Sequence, residues 1–118
     1  MNLQNCLFVA FALAAVAANA GDFRVAAEGG RAEIQQAIDA AAAAGGGRVV
    51  VTPGVHPTGS PRIRSHVELH LMPGCTLLAS DKKEHYDKSE TFEGPEYQDG
   101  GHTYFHNSLI WADGESHV

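Results

Sequence analysis

Forty residues, Ala41 to Ser80, set the tightest limit on what this chain can fold into. A helix end gives way to Gly45-Gly46-Gly47, then to Arg48-Val49-Val50-Val51, Pro53-Gly54, Val67-Glu68-Leu69-His70-Leu71, Pro73-Gly74 and Cys75-Thr76-Leu77-Leu78. Short β-rich runs alternate with Gly and Pro at nearly even spacing. That rhythm suits a solenoid stacking short strands better than a compact sheet. In Val67–Leu71 the alternation is explicit: Val67, Leu69 and Leu71 share one side and Glu68 and His70 the other, which predicts one buried face. Val49-Val50-Val51 and Thr76-Leu77-Leu78 are too short to define a face.

Upstream, Phe23-Arg24-Val25 alternates like a short strand, and Ala32 to Ala44 reads as a helix. Ile34, Ala37, Ile38 and Ala41 fall at i, i+3, i+4 and i+7, a lean apolar stripe suited to close packing on a flat surface. Gly45 ends the helix as glycine does at C′. Gly45-Gly46-Gly47 is a turn and not a phosphate cradle. Such a cradle leads from a strand into a helix N-terminus, whereas here a helix enters and a strand leaves, with the opposite dipole sign. Ser108-Leu109-Ile110-Trp111-Ala112 is predicted as a later strand turned by Asp113-Gly114, and His117-Val118 as the start of another.

Residues 1–20 read as a secretory leader, apolar from Leu7 to Ala18 with Ala18-Asn19-Ala20 as the cleavage signal. The run is shorter than the roughly 20 residues a membrane span needs. Cys6 precedes the apolar stretch, whereas a lipoprotein cysteine would follow it. Cleavage leaves Cys75 alone, so no internal disulfide forms, and Cys75 is expected to act as a small core hydrophobe. The net charge of −6 lies entirely from Asp81 onward, where acids outnumber lysines. An acidic chain without a basic stripe argues against nucleic-acid binding. Between Asp81 and Asn107 runs a polar stretch without periodicity, too long for an ordinary connection.

The ordered set Ile34-Gln35-Gln36-Ala37-Ile38-Asp39-Ala40-Ala41, Gly45-Gly46-Gly47-Arg48-Val49-Val50-Val51, Pro53-Gly54, Thr58-Gly59, Ile63-Arg64-Ser65, Val67–Leu71 and Gly74-Cys75-Thr76-Leu77-Leu78-Ala79-Ser80 resembles the N-terminal part of the pectate lyase superfamily. Within it the chain looks most like the polygalacturonases of glycoside hydrolase family 28, and Ser108–Ala112 resembles the strand after their first large loop. The resemblance implies an all-β fold: a right-handed single-stranded parallel β-helix, pectin lyase-like, with an N-terminal cap α-helix. It implies that residues 21–118 are the cap and first coils, cut off early, with a polar loop at about 81–107. A solenoid needs its first coil covered, and the Ala32–Ala44 helix suits that task. Three departures stand out. The connection Ala26–Arg31 is short and leaves the helix without a Ser, Thr, Asp or Asn cap. His56-Pro57 replaces an aromatic-apolar pair, and His66 sits where Asn is common in the relatives.

Family 28 enzymes, as the resemblance implies, invert the glycosidic bond with several aspartates and a histidine. One carboxylic acid protonates the leaving oxygen while others activate water on the opposite face. Their Asn-Thr-Asp, Asp-Asp, Gly-His-Gly and Arg-Ile-Lys motifs are missing here. Gly101-His102-Thr103 lacks the second glycine, and Arg62-Ile63-Arg64 falls at a structural turn. No catalytic, cofactor-binding or metal residue is therefore assigned, and no cofactor is expected. His102 and His106, with Glu96 and Asp99 before them, are read as solvated loop residues, since no complete ligand motif surrounds them. Tyr97, Tyr104 and Phe105 are candidates for stacking on sugar rings, whereas Trp111 is read as packing within its strand. The chain has no Gly-x-Ser-x-Gly elbow and no EF-hand loop.

The expected function is thus the N-terminal part of a secreted or periplasmic polygalacturonase-like hydrolase, itself inactive. Its full-length parent would invert pectic α-1,4-galacturonide linkages, with pectic polysaccharide as partner and no membrane contact after leader cleavage. The chain is expected to self-associate through its open C-terminal end. The alternatives are a pectate lyase or epimerase-like enzyme of the same fold, and a non-enzymatic β-helical adhesin or carbohydrate-binding spike.

Overall fold

The computed structural model describes residues 21–88 and 108–118. The order is β1 (Asp22–Val25), α1 (Arg31–Ala43), β2 (Gly47–Val51), β3 (Gly54–Thr58), β4 (Val67–Leu71) and β5 (Cys75–Ala79), then a 3-10 turn at Lys83–His85. The helix lies one residue earlier at each end than its periodicity indicates. The leader expected at 1–20 and the loop residues 89–107 lie outside the described residues.

The strands form two sheets, ordered β1-β2-β4 and β3-β5, and every pairing is parallel. Val49 stands opposite Leu69, twenty residues on, and His56 opposite Leu77, twenty-one residues on. From β2 to β4 and from β3 to β5 the two sheets therefore advance by nearly the same step, whereas β1 to β2, with α1 between them, steps by twenty-six residues. Thr52 to Pro53 turns the chain from β2 into β3, and Met72 to Gly74 makes the equivalent turn from β4 into β5. At this second turn the Cys75 N–H donates to the Met72 carbonyl, and the Met72 N–H donates to Val51.

The core is aliphatic. Ile34, Ile38 and Ala41, the inner stripe of α1, pack with Val25, Val49, Val51, Val67 and Ile63. These valines are the inward members of the alternation in β1, β2 and β4, so the helix lies over the inner face of the three-stranded sheet. Burying one such side chain contributes about 1.5–3 kcal/mol. The outward row is charged: Asp22, Arg48 and Glu68 stand in register across the three strands, with Arg48 Nε donating to Glu68 at 2.9 Å.

Both ends of α1 follow from sequence. Gly30 is the N-cap residue and offers no side chain; the Glu33 carboxylate reaches back and accepts from the Gly30 N–H at 2.8 Å. At the C-terminal end the Gly46 N–H donates to Ala41 and the Gly45 N–H to Ala42, the paired bonds of a Schellman turn. The glycine triplet thus satisfies the helix's last carbonyls.

Four sequence expectations are corrected. Strand β3 lies where none was predicted, because Gly54, His56 and Pro57 obscure its alternation. Among the described residues it is bonded to a strand on one side only, where a proline's missing N–H is tolerated. Ser108–Ala112 is no strand: its single ladder contact is a parallel bridge between Trp111 and Arg62. His117-Val118 is likewise not in a strand. Finally, the face of β4 is buried unevenly. Val67 is fully buried, Leu69 half-buried and Leu71 42% exposed, β4 being an edge strand among the described residues.

Candidate functional site

Three side-chain clusters lie at the side of the molecule where the chain leaves β5 and where residues 108–118 return. They begin with Asp87. Its carboxylate accepts from the Arg31 guanidinium of α1 at 2.6 Å and from the Trp111 indole N–H at 3.0 Å. Arg62 lies over the Trp111 ring, 5.0 Å from its centroid, a cation–π contact. Trp111 is half-buried, but what it packs against is a guanidinium and a carboxylate rather than neighbours within a strand. The helix N-terminus, a residue early in the polar stretch and a residue beyond it are thereby joined.

Glu115 is the second centre. One carboxylate oxygen accepts from the Ser65 N–H at 2.8 Å and from its hydroxyl at 2.6 Å; the other faces Arg62 at 3.3 Å and Arg64 at 3.7 Å. The Ser65 hydroxyl, then the Ser65 N–H, then Arg64 and Arg62 hold this carboxyl below the usual carboxylate range against a smaller opposing effect of desolvation. Beyond it the His66 N–H donates to the Ser116 carbonyl, and His66 stacks on His117 with centroids 5.0 Å apart. His66 has φ 62, a left-handed conformation that asparagine adopts more readily than most residues.

The third cluster is Ser80 with the 3-10 turn. Ser80 Oγ lies 2.6 Å from His85 Nδ1 and accepts from the Lys82 N–H at 3.2 Å, while the Tyr86 hydroxyl donates to the Ser80 carbonyl. Sequence reading missed this pair, since only the turn brings residues five apart together. Its bonds are local and fasten the turn; they place the hydroxyl in a closed network rather than opposite a substrate. Between this turn and α1 runs an open groove of about 960 Å³, lined by Arg31, Gln36, Asp39, Pro57, Glu84 and His85 among others. Most of the surface it presents is apolar, with charged and amide side chains among its lining. Two of its acids are already engaged: Glu33 with the Gly30 N–H, and Asp39 with Gln35.

Inside, His56 is fully buried, with Nδ1 and Nε2 each 2.7 Å from a carbonyl oxygen, those of Gly29 and Thr52. The ring therefore ties the turn before α1 to the corner between β2 and β3. Cys75, expected in the core, is half-buried at the edge of it, and burial pushes its thiol up. Arg62 and Arg64 face Glu115; Arg62 sits in the bridge to Trp111, and the turn expected at Arg62–Arg64 lies just after it, at Ser65-His66. Glu96, Tyr97, Asp99, His102, Tyr104, Phe105 and His106 lie outside the described residues. Among the described residues there is no group of three or more His, Cys, Asp or Glu placed to hold a metal, and no helix long and apolar enough to cross a membrane.

Comparison with protein-family models, with characterised proteins and with solved structures finds no match to this chain.

Proposed function

We propose that this chain is the capped beginning of a right-handed parallel β-helix in an exported, polygalacturonase-like glycoside hydrolase that acts on pectic polysaccharide. The observation that carries the reading is the common step. From β2 to β4 in one sheet and from β3 to β5 in the other the chain advances by twenty and twenty-one residues, and from β1 to β2 by twenty-six with the helix between them, as one turn of a solenoid per repeat with a helix inserted in the first would require. The bridge from Arg62 to Trp111 spans forty-nine residues, so that side takes the same step once the polar stretch is set aside as an insertion. The cap helix and the ordered motifs of residues 34–80 support the family within the fold.

The reaction is tested on the product of the complete gene with polygalacturonate. Inverting hydrolysis of an α-linkage releases the β-anomer first, visible by proton NMR before mutarotation. An unsaturated, ultraviolet-absorbing product identifies a lyase instead, and binding without turnover identifies a carbohydrate-binding spike. Separately, purified residues 21–118 are expected to release no reducing ends from polygalacturonate, because the paired carboxylates of the reaction have no counterpart among them. Dose-dependent release would overturn that assignment.

A further inference from the structure

Among the described residues His56 is the one fully buried histidine, and both nitrogens of its ring meet partners of the same kind. Nδ1 lies 2.7 Å from the Gly29 carbonyl oxygen and Nε2 lies 2.7 Å from that of Thr52. A carbonyl oxygen only accepts. A neutral imidazole has one N–H and one bare nitrogen, itself an acceptor. Either neutral tautomer would therefore set a ring lone pair against a carbonyl lone pair at 2.7 Å, away from water. The doubly protonated ring donates to both carbonyls. The distances agree with that form: charge-assisted N–H···O bonds run at about 2.7–2.9 Å, and neutral ones cluster at about 2.9–3.0 Å.

We propose that His56 is an imidazolium in the folded protein and acts as a proton-held clasp on the seat of α1, opening as pH rises. Two carbonyl dipoles take the place of a carboxylate partner. The titratable groups on the elements packed against the ring are Glu28 in the turn before α1, Arg31 and Glu33 in the helix's first turn, and Cys75 on β5. Arg31 is bonded to Asp87 and Glu33 to the Gly30 N–H, and none of the four bonds the ring. His85, on the 3-10 turn beside Gly59, is bonded to Ser80. Asp22, Arg24, Arg48, Glu68 and His70 stand on the outer face of the three-stranded sheet. When the ring gives up one proton, one carbonyl loses its donor. Thr52 stays fixed, because its N–H and its hydroxyl both donate to the Val25 carbonyl, at 3.2 and 2.9 Å. In the turn at Gly29, by contrast, Glu28 has φ 65, a left-handed conformation that glutamate seldom adopts. The turn is therefore the side that lets go, and with it the N-terminal seat of α1. The proposal does not depend on the enzymatic reading.

A ring that holds an extra proton in the fold and not in the unfolded chain stabilises the fold, and that contribution is lost as pH rises through the titration of the folded ring. Nitrogen NMR of the full chain, isotope-labelled at histidine, should show at neutral pH two protonated, exchange-protected nitrogens on one ring, assigned to His56 by its proximity to Gly29 and Thr52. Urea unfolding supplies the second reading. Where the folded ring is charged and the unfolded one is not, the folded-to-unfolded ratio of the wild type should fall about tenfold per pH unit relative to His56→Gln. Burial pushes the Cys75 thiol up, which lowers stability at alkaline pH in both proteins alike, so the difference between them isolates the ring. Amide exchange, corrected for its intrinsic rate, should quicken at Gly29 before Thr52 as pH rises. A bare nitrogen on the His56 ring at neutral pH overturns the proposal. So does a His56→Gln protein with the pH dependence of the wild type, or a Thr52 amide that opens first. Should His56→Gln fail to fold, the wild-type spectrum and exchange decide the matter.

Discussion

At the scale of single residues, two adjacent glycines do different work. Gly45 has φ 90 and open space where a side chain would project; Gly46 has φ 122, and a Cβ there would lie 2.7 Å from the His66 carbonyl oxygen. Gly45→Ala is therefore expected to cost about 1 kcal/mol, the penalty of the left-handed backbone alone. Gly46→Ala adds a backbone collision, worth about 1–3 kcal/mol more, because the turn must part from the corner before β4. Urea denaturation of both variants checks the order, and equal losses would contradict the close approach. The turn itself was legible in sequence, as glycine after an apolar helical stripe; which glycine meets a neighbour was not, since His66 is twenty residues away in the chain. His56 makes the same point. Its position in the sequence carries no sign of burial, and its two carbonyl partners come from the turn before α1 and the corner after β2, which only folding brings together.

At the scale of elements, the segment after Trp111 is held by side chains rather than by a ladder. Glu115 is its anchor, and its carboxyl is held below the ordinary range chiefly by the Ser65 hydroxyl. A group whose value is lower folded than unfolded stabilises the fold fully above the unfolded value, and that contribution is lost as pH falls through the folded one. Protection of the Ser65 and His66 amides from hydrogen exchange should therefore hold through neutral and mildly acidic pH and fall only below the usual carboxylate range. In Glu115→Gln protection should be lower throughout and lack that acid limb; an unchanged acid limb would place the titrating group elsewhere. Sequence reading found the helix and four of the five strands among the described residues: α1, β1 and β4 carry a stripe or an alternation, and β2 and β5 are short apolar runs bounded by glycine and proline. It missed β3 because a buried histidine and an edge proline break the apolar alternation, and it overread Ser108–Ala112 because an apolar run alone cannot show whether a neighbouring strand is there to receive it. The clusters around Asp87 and Glu115 had no sequence signal, their members lying more than twenty residues apart.

At the scale of the whole molecule, the leader expected at residues 1–20 is open to a direct test. The small-residue signal before Gly21 predicts that mass spectrometry of the exported protein finds Gly21 at its N-terminus; retention of residues 1–20 would instead indicate an anchor. The sequence by itself determined the local events: the helix with its glycine exit, the short strands, and the side of β4 that turns inward. These depend on periodicity and backbone preference within a few residues. Only the tertiary structure decided which strands pair and in what register. It also decided that His56 and not an aliphatic residue fills its interior position, that Trp111 meets Arg62 and Asp87, and that β4 forms an edge. The physical reason is range: pairing and burial depend on residues twenty or more positions apart, whose meeting leaves no trace in any one stretch of sequence.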